Sequence, residues 1–437
     1  MAIRITLLIW TAAELKLYLP VIDKALQTSH VSISLIVLRA KPPSKKKLEY
    51  NSKLNPFHKD VQIAYIDNDN EISKAVYFLK TDDLIVASAP SEQLYELKKN
   101  SKVRIFYLQH SSDIVSNWPY LYQIRLINLF DGFFLFSEYW KQEFIRELTV
   151  NKKINKFHSE ELQAKIFIVG FPELDQVDSF DGDYIKEKYG LEANKKIIFI
   201  DSLPIVKHIP NAFYKYYFSI NGTWVNKFKQ ILINLIYDFT RRNNAKWRLP
   251  YYLFKIISER KIPRYETIFY ELREYCDRNN CLLICKSREK NNDPAWLKES
   301  CDLFKYDEEY YPFTLLELLY VSDAYVGFNS TSVLEGVYCN LHAELFHVYP
   351  VEFQYDNYGG NVFQYLEGCA IKTESWLSFK DVAKTNSWNK KIENIFSVLD
   401  VVVDNKDLHN YKDKFLGFND GLAAKRVIEK LKNYERK

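Results

Sequence analysis

Short apolar runs alternate with helical patterns along most of this chain. In the first half, strand-like runs fall at 3–10, 33–39, 61–66, 84–88, 103–108, 132–136 and 165–169. Between them, apolar residues spaced three and four apart predict helices at 12–27, 71–80, 91–98, 118–129 and 138–148. A polar connection with a short helix follows, and a second series of runs begins at 196–202 and continues at 282–287, 302–306, 324–328 and 343–348. Helices are expected there at 265–279, 313–321 and 332–338, and the tail beyond 378 carries at least two more helical patterns. Strands that alternate with helices are the signature of parallel sheets covered on both faces.

At 437 residues the chain exceeds what one apolar core normally serves, so the two series imply two domains. The expected division is 1–175, then 190–380, then a helical tail over 381–437. Hydrophobic residues at 47% and charged residues at 27% are ordinary for a globular protein. Glycine is scarce, with 12 residues, and neither GxGxxG nor GxxxxGK occurs. A nucleotide would therefore need some device other than a glycine-rich loop. The six cysteines form no CxxC pair, which argues against a zinc site and for reduced thiols. The net charge of +4 gives no sign of a nucleic-acid partner. No run reaches the ~18 apolar residues of a spanning helix, and the opening residues read as a strand and a helix rather than a leader. A cytosolic protein, or one lying on a membrane from the cytosolic side, is expected.

One segment breaks the rhythm. Residues 207–264 hold 12 Lys or Arg against only Asp238 and Glu259, so the rest of the chain is net acidic. Phe228, Ile231, Leu232, Leu235, Ile236 and Phe239 share one helical face there. Such a composition suits an interfacial helix on an anionic membrane. It also suits a packed insertion with a basic rim, or a contact to a polyanionic substrate.

Ligands of parallel α/β domains gather at the carboxyl ends of strands, which narrows the search for chemistry to a few loops. The loop after 103–108 carries His110 and Asp113. An imidazole there could take a proton from a hydroxyl nucleophile near neutral pH, or could be a hydrogen-bonded loop residue. Glu14, after the first strand, could serve as a base or a hydroxyl-binding group, or could complement the dipole of the following helix. In the second series, Ser202, Lys286 and Arg288 follow strands, and the two cations suit a phosphate. Asn329, Ser330, Thr331 and Ser332 form a hydroxyl-rich bridge between the run at 324–328 and the next helix. Ser332 and Glu335 match a capping box. The other three are left over, and hydroxyls beside free helix amides make a phosphate site without glycine.

At these residues the chain resembles the two-domain GT-B glycosyltransferase superfamily, especially its bacterial cell-surface polysaccharide branch. "WTAAELKLYLPVIDKAL" looks like the first βα unit of those proteins, and "FDGFFLFSEYWKQEF…KIFIVGFPELDQ" like the last units of their first domain. "LLYVSDAYVGFNSTSVLEGVYCNL" is similar to their donor-binding segment. The resemblance implies two Rossmann-like domains facing a central cleft and a nucleotide-sugar donor held by the second. Ser330, Thr331 and Ser332 would contact phosphate, Glu335 the ribose, and the loop 306–313, with Tyr311, the base. His110 would be the acceptor-activating base, with Glu14 and Asp113 as further catalytic candidates. No metal or other cofactor is implied, because helix amides and basic side chains can neutralise the leaving group. The acceptor would be a cell-surface glycan or a lipid-linked molecule. Two departures bear on the choice within the superfamily. CDP-glycerol glycerophosphotransferases and bacterial sialyltransferases usually have a His-Pro pair where Ser287 and Arg288 stand. UDP-N-acetylglucosamine 2-epimerases carry a glutamate motif where this chain has Gln109-His110-Ser111-Ser112. Sugar transfer is the expected activity, with glycerophosphate transfer, a non-catalytic scaffold and 2-epimerisation as alternatives.

Overall fold

The computed structural model describes residues 3–10, 14–38, 61–79, 84–110, 128–150, 156–202, 265–287, 295–306, 313–327, 332–339, 342–345 and 405–435. The first sheet contains β1 (Ile3–Ile9), β2 (Val31–Leu38), β3 (Gln62–Ile66), β4 (Leu84–Ala87), β5 (Arg104–Leu108), β6 (Gly132–Leu135) and β7 (Ile166–Ile168). Its order is β3-β2-β1-β4-β5-β6-β7, with every pairing parallel. The second sheet contains β8 (Lys196–Asp201), β9 (Cys281–Ser287), β10 (Leu303–Tyr306), β11 (Ala324–Gly327) and β12 (His342–Leu345). Its order is β10-β9-β8-β11-β12, again all parallel. Both sheets are thus doubly wound, and the order reverses between β1 and β4 and between β8 and β11.

The helices meet the expectations closely. α1 (Leu15–Leu26), α2 (Ile72–Phe78), α3 (Glu92–Asn100), α4 (Glu138–Val150), α5 (Lys156–Ala164) and α6 (Gly182–Tyr189) belong to the first half. α7 (Tyr265–Asn279), α8 (Ala295–Glu299), α9 (Thr314–Tyr320) and α10 (Ser332–Tyr338) follow, and α11 (Asn405–Phe415) and α12 (Ala423–Glu435) end the described chain. Neither α5 nor α8 is evident from apolar spacing, because α8 is a single turn and α5 places only Phe157 and Leu162 as large apolar residues. The helix expected at 118–129 lies outside the described residues except for 128 and 129, which are a turn. Pro20 falls past the first turn of α1, where it removes the amide that would bond the Lys16 carbonyl.

Parallel sheets need cover on both faces, and the strands are apolar accordingly. In β8, β9 and β11 the alternation divides the core. Phe199, Ile284 and Tyr325 join the apolar cluster of the first domain, whereas Ile198, Ile200, Leu283 and Val326 pack beneath Phe269, Leu272 and Cys276 of α7. One continuous core therefore runs from the first sheet into one face of the second.

The C-terminal helices dock back on the first domain. Ala423, Ala424, Val427, Ile428 and Leu431 form the buried stripe of α12. Arg104 donates to the Tyr434 carbonyl at 2.7 Å, and the Tyr434 ring meets Phe106 edge-on. The start of α12 is capped from the inter-domain segment, where the Asp175 carboxylate accepts from Ala423 N at 3.0 Å and Ala424 N at 2.7 Å. Burial pushes Asp175 up to about 6, although both amides oppose the rise. α11 ends against α4. Ser137 donates to the Lys414 carbonyl at 2.6 Å, and the Trp140 indole donates to the Phe415 carbonyl at 2.7 Å. Lys412 reaches the other way, to the Tyr338 carbonyl at the end of α10, at 2.8 Å.

Candidate functional site

The reversals of strand order create a crevice at the carboxyl edge of each sheet, because successive crossovers leave on opposite faces there. In the first crevice Glu14 is buried and accepts from the Trp10 amide at 2.5 Å and from the Ser88 hydroxyl. It thereby ties the end of β1 to the end of β4. Burial, followed by the Glu14 charge, raises both Tyr18 and Tyr107 well above the ordinary phenol range. The residues after β5 are anchored by Gln109. Its amide donates to the Phe134 carbonyl at 3.0 Å, and its side-chain oxygen accepts from Phe136 N at 2.9 Å. His110 follows immediately and is half-buried at the same edge of the sheet.

The second crevice is built on Asp201, the last residue of β8. Ser332 donates to its two oxygens at 2.9 and 3.0 Å, and the Tyr325 hydroxyl donates to Oδ2. The two hydroxyls are themselves 2.9 Å apart. Burial, then the Asp201 charge, pushes the Tyr325 phenol well up. Lys286 is the register partner of Asp201 in β9 and is half-buried, and Ser202 leaves β8 on the same edge.

The capping-box expectation for Ser332 and Glu335 is corrected by this geometry. Ser332 is already the first helical residue, and its hydroxyl faces Asp201. Glu335 does not turn back to the helix start. It meets Lys16, from the first turn of α1, and Lys16 also donates to Glu173 at 2.9 Å. The two crevices consequently face one another, bridged by a lysine from one domain, a carboxyl from the other and a carboxyl from the 3-10 turn Pro172–Ser179 between them. Both carboxylate side chains are almost fully enclosed, at 1% exposure for Glu173 and 3% for Glu335. Burial pushes Glu173 well above the ordinary carboxylate range, and the charge of Glu335 adds to the rise while Lys16 opposes it. Burial acts upward on Glu335 too, but Lys16, hydrogen bonds from Glu173 and Lys16, and the charge of Lys286 hold it below its ordinary value. The two carboxyls are thus pushed in opposite directions, Glu173 toward its protonated form and Glu335 toward its charged form.

Of the residues expected to act, Glu14, His110, Ser202, Lys286, Ser332 and Glu335 stand on the two facing edges. Asp113, Arg288, Tyr311, Asn329, Ser330 and Thr331, and the basic segment 207–264, lie outside the described residues. Lys16, Glu173, Asp201 and Tyr325 were not anticipated. The signal for Asp201 was present, an acid closing the buried run of β8 just before Ser202. The sequence also holds Asp67-Asn68-Asp69 and Asp181-Gly182-Asp183, and in these stretches Asn68 and Asp181 serve as helix caps. Among the described residues no group of three or more His, Cys, Asp or Glu is arranged to hold a metal, and no helix is long and apolar enough to cross a membrane.

No protein-family model matches the sequence, and no curated protein matches it either. Solved structures do resemble it in fold. The UDP complex of MnaA from S. aureus aligns over 99% of this chain and 97% of its own, at 13% identity and a TM-score of 0.54. The UDP-GlcNAc 2-epimerase from Neisseria meningitidis bound to UDP-GlcNAc aligns over 99% and 100%, at 10% identity and a TM-score of 0.53. The wall teichoic acid polymerase TagF aligns over 98% and 88%, at 11% identity and a TM-score of 0.55. With two doubly wound sheets whose carboxyl edges face each other, the chain has the GT-B fold.

Proposed function

We propose that the protein is a metal-independent glycosyltransferase that moves a sugar from a nucleotide-activated donor to a hydroxyl of a cell-surface glycan or lipid-linked acceptor. The observation that carries this reading is the pairing of the two crevices. Asp201, Tyr325 and Ser332 line one with Lys286 beside them, and His110 stands at the edge of the other. Buried carboxylates suit the hydroxyls of a sugar or ribose, an ammonium suits the leaving phosphate, and an imidazole opposite them can take the acceptor proton. The Ser332 hydrogen is directed at Asp201, so the phosphate contacts fall to Ser330 and Thr331, with Lys286 and Arg288. The basic segment 207–264 would place the protein on an anionic, cytosolic membrane face, which sedimentation with anionic vesicles at low salt would test.

Two other readings have support of their own. The likeness to UDP-GlcNAc 2-epimerases favours epimerisation, against which stands Gln109-His110-Ser111-Ser112 with no carboxylate. The other is glycerophosphate transfer of the CDP-glycerol type that the sequence resembles, with which the fold likeness to a wall teichoic acid polymerase, TagF, is compatible. The pure protein mixed with UDP-GlcNAc and followed by proton NMR separates the first: a new sugar-nucleotide epimer without any acceptor identifies an epimerase. Melting with UDP, GDP, CMP and CDP separates the second, since a ligand at 100 times its Kd stabilises by ~2.7 kcal/mol. If none of the four raises the melting temperature, the nucleotide reading fails. His110→Ala should melt and bind nucleotide as the wild type does, yet lose roughly 100-fold in turnover, the usual scale for a general base. Near-normal turnover would return His110 to a loop role.

A further inference from the structure

The junction between the crevices holds one ammonium and two carboxyl groups, each from a different element: Lys16 on α1, Glu173 on the inter-domain turn and Glu335 on α10. Fully ionised, these three alone would bury a net negative charge, which a proton on the carboxyl pair removes; Lys286 acts on Glu335 from outside the trio. We propose that this cluster is a pH-operated latch between the domains, closed while Glu173 and Glu335 share a proton and released when that proton is lost. Nothing in it depends on which donor the crevices bind.

Beyond the trio, Lys286 acts on the pair through Glu335. Around Glu173, α1 contributes Lys16 and α10 contributes Glu335. From α12 and the turn before it, Arg426 and Asp420 face Asp175 instead. Glu317 of α9 is engaged by Lys188 and Tyr189. Around Glu335 stand Lys16, Glu173 and Lys286, with Tyr325 and Cys339 feeling its charge. In an opened molecule Glu173 would meet water and return toward an ordinary carboxylate value, so closing takes up a proton. Its contribution to closure is complete below the ordinary carboxylate range and is lost as pH rises through the elevated value in the closed form. Glu335, held low, has the opposite sign, and its contribution fades only on acidification. Closure is therefore strongest between these limits and gives way on the alkaline side by the loss of one proton.

Small-angle scattering of the ligand-free full chain, from mildly acidic to mildly alkaline pH at fixed ionic strength, tests this. The radius of gyration should stay constant and then rise in a one-proton step while far-UV circular dichroism stays native. Glu173→Gln, neutral at every pH, should remain compact throughout. A wild-type radius that never changes, or a Glu173→Gln variant with the wild-type step, overturns the proposal. If Glu173→Gln does not fold, hydrogen exchange of wild-type residues 14–18 and 332–338, corrected for base catalysis, carries the test. Their protection must fall with the same step, and unchanged protection also overturns the latch.

Discussion

Lys16→Met should cost about 3–5 kcal/mol of stability at neutral pH, the scale for removing one partner of a buried ion pair. Methionine fills much of the same volume, so the loss is electrostatic rather than a packing defect. Without the ammonium, Glu335 is left charged beside Glu173, with Lys286 as the remaining cation acting on it. The deficit should shrink toward about pH 5, where protonating a buried carboxyl costs little because its ordinary value is ~4.3. Lys16→Met combined with Glu335→Gln should recover most of the loss, since both charges then leave together and burial favours the neutral form of Glu173. Urea unfolding of the two singles and the double, at both pH values, reads the coupling directly. A single mutant within 1 kcal/mol of wild type, or a double no better than the single, would mean that solvent reaches these groups.

How far such a site can be read from sequence depends on distance along the chain. All twelve strand-like runs are strands; burial on both faces makes the central ones uninterrupted apolar runs that are visible locally, and β3 at the sheet edge shows instead as an alternation, with Gln62 and Tyr65 exposed. The helix at 332–338 is visible for the same reason, through Leu334, Val337 and their spacing. Glu14, Lys286 and Ser332 could be nominated because strand ends are where α/β ligands gather. What local pattern could not supply was each side chain's partner. Glu335 looked like a capping acid because Ser332 stands three residues before it. Its actual partner, Lys16, lies 319 residues away. Glu173 sat in a "FPELD" turn legible only as part of the first domain's closing unit, and the assembled core reveals that this turn lies between both domains. The tail misled in a similar way. Its amphipathic stripe announced a helix but gave no address, and the first domain supplies it through Arg104, Phe106 and Asp175.

Gly417→Ala should be comparably damaging, about 3–5 kcal/mol, although glycine 417 touches neither crevice. It follows α11 with φ +76°, and its amide closes the helix end on the Lys412 carbonyl at 3.1 Å. A left-handed conformation costs a residue with a Cβ ~1–2 kcal/mol. The added methyl would also fall inside the contact shell of the Phe136 carbonyl oxygen, which is main chain at the end of β6 and cannot swing aside. Relieving the clash moves α11 away from α4 and weakens the bonds from Ser137 and Trp140 to its last carbonyls, worth ~0.5–1.5 kcal/mol each. Gly190 provides the control. It ends α6 with φ +66° and has nothing within 4 Å of its missing Cβ, so Gly190→Ala carries the conformational cost alone, ~1–2 kcal/mol. Equilibrium unfolding of the two variants separates the contributions, and hydrogen exchange should show residues 405–416 losing protection only in Gly417→Ala. Equal losses in the two variants would show that α11 can shift without strain, and that its docking on the first domain is looser than the Ser137 and Trp140 bonds indicate.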